Sequence, residues 1–176
     1  MTSVSVNRES FQLFFAVCHQ ILQLLSFAFG KAVGIGITDC RFCFSVIHIR
    51  SQEERGIAMY DTACEVRRLK DNASDKFLEI VIPTDIQALL SQLPQCQAIV
   101  TTGEKATDTI CTSLNIPQVP KVNTWIPIPN TYNKDGKQVV LYRLPSSSRA
   151  YPLAFDKKVT AYQKMFDLFL SDYSLS

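Results

Sequence analysis

The sequence predicts an α/β fold: a three-layer α/β/α arrangement with helices on both faces of a short, mostly parallel sheet. Three observations lead there. From residue 51 on, short apolar runs alternate with longer amphipathic stretches. The runs are bounded by Gly, Pro and Asp, which end strands and start helices. The chain has 176 residues, enough for one core, and 47% of them are hydrophobic.

Each element follows from its local pattern. Residues 11–28 are almost all apolar and are expected to form a buried helix. Gln12, Gln20, Gln23 and His19 make that run a poor membrane span, so no membrane is expected as a partner, with a signal or anchor segment as the other reading. Residues 32–37 and 42–49 read as short strands, the first weakened by two glycines. Ser51-Gln-Glu-Glu54 has the composition of a helix start. Gly56–Asp61 reads as a short buried strand, and the polar residues 62–76 as a long loop. Pro83-Thr84-Asp85 opens a helix through Leu93, where the acid suits the first-turn dipole, and Pro94 ends it. Ala98–Thr102 is a second buried strand, Gly103 turns the chain, and Glu104–Leu114 is helical. Residues 119–128 are extended and proline-rich, Tyr132–Gly136 is a turn, and Gln138–Leu144 is a third strand. Pro145–Tyr151 is a loop. Residues 156–171 form an amphipathic helix with Val159, Tyr162, Met165, Phe166 and Phe169 at helical spacing.

Composition narrows the function. Lys plus Arg is 18 and Asp plus Glu is 16, which excludes a polybasic protein that binds nucleic acid through bulk charge. Six of these charges, Arg8, Glu9, Lys31, Asp39, Arg41 and Arg50, lie in the first fifty residues, and the rest of the chain is neutral. Residues 1–50 are thus an atypical apolar segment ahead of an ordinary domain over 51–176; a mis-assigned start, a frameshifted reading and a real divergence all fit it, and the abrupt change of composition favours the first two. Attraction for an anion must then come from local clustering. Of the six cysteines only Cys40 and Cys43 form a CxxC pair, and His19 and His48 are the only histidines. No metal site and no cofactor are expected, because one CxxC without a second cysteine pair is a weak zinc signal. The cysteine usage agrees with a cytoplasmic protein.

In parallel sheets function gathers at the carboxyl ends of the strands. Three loops leave such ends here. The first runs from Asp61 to Asp75 and carries Arg67, Arg68, Lys70, Asn72 and Ser74. The second is Thr101-Thr102-Gly103. The third is Leu144-Pro-Ser-Ser-Ser-Arg149-Ala-Tyr-Pro152. Pro145 fixes φ, and Ser146, Ser147 and Ser148 offer hydroxyls and backbone N–H groups on small side chains, which suits close approach to phosphate oxygens. Arg149 follows as a long cation. Arg67, Arg68, Lys70 and Arg143 could complete a local basic rim. A solvated serine-rich turn is the other reading of this loop.

The third loop resembles the second signature motif of the uracil-DNA glycosylase superfamily. It is closest to the Pro-Ser-Ser-Ser loop of the thymine- or mismatch-specific branch and the Leu-Pro-Ser loop of the hypoxanthine branch. Gly56-Ile-Ala-Met-Tyr-Asp61 is similar to the strand that precedes the family's Arg-and-Ser-Asp loop, which Arg67 and Ser74-Asp75 match. Ala98-Ile-Val-Thr-Thr-Gly-Glu-Lys-Ala106 is similar to the strand and turn where relatives often read Asn-Gly. The resemblance covers about residues 51–170. The first signature motif, which relatives carry on a central strand and use to hold the hydrolytic water, has no counterpart in residues 1–50.

The resemblance implies a base-excision repair enzyme that acts, without a cofactor and as a monomer, on double-stranded DNA with a damaged or mismatched base. It would flip the base out and hydrolyse its N-glycosidic bond. By the same resemblance Pro145, Ser146, Ser147 and Ser148 grip the DNA backbone together with Arg67, and Arg149 enters the gap left by the flipped nucleotide. Thr101, Thr102 and Gly103 lie near the base pocket. Asp61 and Asp75 are the weak catalytic candidates. Two other readings stay open: an inactive or truncated relative that only binds DNA, and an unrelated α/β protein that binds a small phosphate ligand.

Overall fold

A computed structural model describes residues 13–17, 56–69, 78–148 and 151–170. It contains a five-stranded sheet, a separate two-stranded ribbon and three helices among the described residues. The strands are β1 (Leu13–Val17), β2 (Ile57–Asp61), β3 (Ala63–Arg68), β4 (Leu78–Pro83), β5 (Ala98–Thr102), β6 (Thr124–Tyr132) and β7 (Gln138–Leu144). The helices are α1 (Ile86–Ser91), α2 (Glu104–Ser113) and α3 (Phe155–Leu170). The main sheet runs β2-β1-β5-β7-β6, with β1 parallel to β2 and β5, β5 parallel to β7, and β6 antiparallel to β7. The fold class is α/β with a small mixed sheet.

Two expectations are corrected. Part of the stretch read as a helix, Leu13–Val17, is a strand, and it lies inside the sheet between β2 and β5. A short apolar run does not by itself distinguish helix from buried strand. Phe14, Phe15 and Val17 favour the strand, and the two parallel neighbours satisfy its backbone on both sides. The sheet therefore draws on both sides of the compositional seam near residue 51, and its interior includes an N-terminal strand. Part of the stretch read as a long loop, Ala63–Arg68, is also a strand, paired antiparallel with β4. This ribbon stands apart from the main sheet, so charged residues occupy it without the alternation that marks a strand with one buried face. The segments 32–37, 42–49 and 51–54, and the Cys40–Cys43 pair, lie outside the described residues.

Elsewhere the local signals act where they stand. Asp85 is the N-cap of α1, accepting a hydrogen bond from the Ala88 N–H at 2.9 Å. The turn after β6 is organised by Asn133, whose side-chain oxygen accepts from the Asp135 and Lys137 N–H groups at 3.1 and 2.9 Å. Pro127 and Pro129 lie in β6, an edge strand, where a missing N–H is tolerated.

Alternation along β5 and β7 divides the core into two clusters. Ala98, Val100, Tyr142 and Leu144 pack with Val159, Ala161, Tyr162 and Met165 of α3. Ile99, Val139 and Leu141 pack with Ile86 of α1, Ile110 and Cys111 of α2, and Ile128 of β6. Cys96 and Cys111 are buried as small hydrophobes, whereas Cys64, in the ribbon, is exposed. All five residues of β5 are buried, while β2 becomes exposed at Tyr60 and Asp61. No helix among the described residues is long and apolar enough to cross a membrane.

Candidate functional site

Parallel pairing brings the carboxyl ends of β1, β2, β5 and β7 to one edge. Val17 is level with Asp61, Ala16 with Thr101, and Thr102 with Leu144. The three loops read from the sequence therefore open on one edge, with β1 between the strands that carry the first and the second.

The second and third loops touch. The Gly103 N–H donates to the Leu144 carbonyl at 3.2 Å. Gly103 has φ +82° and ψ 176°, a conformation that essentially only glycine adopts without strain. A Cβ at this position would lie 3.2 Å from Ser146 Cβ and 3.4 Å from Ser146 Oγ. The glycine thus provides both the backbone turn into α2 and the space that the serine loop fills.

Thr101 and Thr102 point to opposite faces, as neighbours in a strand do. The Thr101 hydroxyl is wholly buried and lies 2.9 Å from the Thr107 hydroxyl, which donates to the Gly103 carbonyl at 2.6 Å. Thr101 also donates to the Tyr142 carbonyl at 3.4 Å. These bonds tie β5 to the first turn of α2 and hold the glycine turn from beneath.

The serine loop is anchored at both ends. Pro145 is buried, and Ser146, Ser147 and Ser148 are half-buried. The Ser146 hydroxyl accepts from the Ser148 N–H at 3.2 Å. The Ser148 carbonyl accepts from the Tyr151 N–H at 3.1 Å and from Lys158 Nζ at 2.6 Å. Lys158 was not singled out by its residue type or motif. It is 4% exposed, and its ammonium lies 5.6 Å from the Tyr151 ring centroid, within cation–π range. Burial pushes its pKa below the usual lysine value. The available sequence signal was a charge on an apolar stripe: Lys158 precedes Tyr162 by four residues and Met165 by seven.

The first loop contributes less. The Asp61 side chain is exposed, and its backbone carbonyl accepts from the Thr84 hydroxyl at 2.7 Å. Arg67 lies in the ribbon, where it is level with Glu79 across the strands and pairs with it at 3.4 Å. That pair is open to solvent, with side chains 69% and 48% exposed. Arg143 is half-buried and donates to the Pro120 carbonyl at 3.3 Å, which fixes the segment leading into β6. Asp75, Lys70 and Arg149 lie outside the described residues, as does the side chain of Arg68.

Two carboxylates lie beside this edge among the described residues: Asp61, and Glu104 in the first turn of α2. Both are exposed. No group of His, Cys, Asp and Glu suited to a metal ion occurs among the described residues. The edge can therefore offer backbone N–H groups, serine hydroxyls, a buried cation behind the loop and an exposed carboxylate. These groups suit recognition of an anionic oxygen.

No protein-family model matches the chain, and no curated protein matches it.

Proposed function

We propose that the chain is a DNA N-glycosylase of the uracil-DNA glycosylase type, acting on uracil or another deaminated or mismatched base. One observation carries the reading. The Pro-Ser-Ser-Ser loop packs on the Gly103 turn at the carboxyl edge of a mostly parallel sheet, where such a loop can meet a sugar–phosphate backbone. The two core clusters, one with α3 and one with α1 and α2, support the three-layer arrangement that the resemblance implies. The strand β1, interior to the sheet and ending level with Asp61, occupies the kind of position that carries the family's water-holding motif.

The chemistry follows from the bond to be broken. Water adds to the anomeric carbon, the N-glycosidic bond breaks, and its electron pair leaves with the base. Positive charge develops on the sugar and negative charge on the base, so donors to the base and an anion near the sugar both accelerate the step. Ser146–Ser148 hold the backbone while the nucleotide is turned out. On this reading the Gly103 turn, which touches Ser146, would face the flipped base. Asp61, at the end of β2 and separated from β5 by β1, would orient the water.

A second reading, a non-catalytic relative that binds DNA, is favoured by the exposure of Asp61 and Glu104. A general base needs a fixed position, and neither carboxylate has one from burial.

Base release from duplex oligonucleotides containing uracil, hypoxanthine, G:U or G:T, with the purified chain in excess, tests the proposal. Release from any of them supports the glycosylase. A folded protein that binds the duplex but releases no base supports the binding-only relative. A folded protein with neither property overturns both.

A further inference from the structure

Lys158 lies nine-tenths or more buried at the first turn of α3, yet no carboxylate among the described residues pairs with it. A buried ammonium is costly to keep without a carboxylate, and a hydrogen bond to one carbonyl with a cation–π contact to Tyr151 repays only part of that cost. Its charged end reaches the last serine of the loop. The Ser148 carbonyl is thereby held toward α3, and the Ser146 hydroxyl in turn accepts from the Ser148 N–H. No other described basic residue has this placement: Arg67 pairs with Glu79 on the surface, and Arg143 bonds to Pro120.

We propose that Lys158 is the positioning residue of the serine loop: its ammonium fixes the Ser148 carbonyl and sets an unpaired positive charge behind the loop, which favours a phosphodiester oxygen on the loop's open side. The proposal rests on the reading of this loop as the DNA-binding element. It assigns the loop's affinity to two sources, the serines that touch the oxygen and a cation that acts through them. The charge acts through a partly desolvated path, where attraction is stronger than between exposed groups.

The test uses Lys158→Met, which keeps a similar length of chain without charge, and Lys158→Arg, which restores charge and donors. Binding to a duplex containing an abasic-site analogue is measured across a salt series, with circular dichroism and thermal melting to establish folding. Lys158→Met is expected to bind about 10- to 100-fold more weakly, the range for losing a hydrogen bond to a charged group. Its salt dependence should also be shallower, by up to about one phosphate equivalent. Lys158→Arg should recover part of the affinity and the salt slope. A folded Lys158→Met with wild-type affinity and slope overturns the proposal.

Amide hydrogen exchange without DNA separates this result from failure of the DNA reading. If the wild type shows no duplex binding, the DNA reading falls, and the positioning role is judged on exchange alone. Faster exchange at Ser148 and Tyr151 in Lys158→Met then supports it, and unchanged exchange overturns it. If the Met variant does not fold, the same two amides are compared in Lys158→Arg, where wild-type protection is expected and its loss with folding intact counts against the proposal.

Discussion

The serine-loop edge and the β3–β4 ribbon use basic residues in opposite ways. Both follow strands of the main sheet, and both carry residues whose types suggest phosphate binding. In the ribbon, Arg67 is engaged by Glu79 in a solvent-exposed pair. At the edge, Lys158 is buried, lacks a carboxylate partner among the described residues, and holds the loop. The difference teaches that surroundings decide what a cation does. An exposed pair in water is worth little, whereas a buried charge is felt by everything near it. The order of sensitivity should follow: the edge depends on a few fixed contacts, and the ribbon on almost none.

The largest effect is expected at Gly103. Gly103→Ala places a Cβ against Ser146 at a backbone conformation that other residues rarely adopt. A loss of about 1–3 kcal/mol in urea unfolding is expected from the backbone strain, with weaker duplex binding because the loop must shift. Wild-type stability would separate the turn from the loop. Next is Thr101→Val, which removes the hydroxyl that meets Thr107 beneath the turn. A loss of about 1 kcal/mol is expected, with the midpoint displaced and the denaturant slope unchanged.

The pH dependence sharpens the contrast. Burial lowers the pKa of Lys158 from 10.5, so between its folded value and 10.5 the unfolded chain binds more protons. Stability contributed by this group therefore rises with pH across that window. Burial raises the Cys111 thiol from 9.0, which works in the opposite direction above that pH. Unfolding curves of Lys158→Met and Cys111→Ala, compared with wild type from neutral to alkaline pH, separate the two. The Met variant should lack the lysine contribution, and the Ala variant the thiol contribution. The smallest effect belongs to the ribbon. Arg67→Ala should change stability by no more than about 0.5 kcal/mol, since the ion pair is exposed. A larger loss would show that the ribbon is held by its charges.

How much of this was legible in the sequence varies with the physics of each element. β5 and β7 announce themselves as largely apolar runs ended by Gly103 and Pro145, because strands inside a sheet covered on both faces are near-continuously apolar, with Gln138 and Arg143 of β7 as the exceptions. Asp85, Asn133 and Gly136 act through local backbone chemistry and need no tertiary knowledge. β1 was hidden, because an apolar run of that length suits a helix as well as a strand until its neighbours are known. β3 was hidden because a solvated ribbon tolerates Glu65 and Arg67. At the candidate site, the serines and Gly103 stood out by residue type. Lys158 did not, since only the three-dimensional approach of α3 to Ser148 gives it a role.

The central claim is that the edge formed by Gly103, Ser146–Ser148 and Lys158 meets the DNA backbone. The most direct measurement is amide chemical-shift mapping of the isotope-labelled chain titrated with a short duplex carrying an abasic-site analogue. The account predicts the largest shifts at Gly103, Ser146, Ser147 and Ser148, with much smaller ones along β3 and β4. Shifts concentrated in the β3–β4 ribbon, with the serine loop unmoved at saturation, would contradict it.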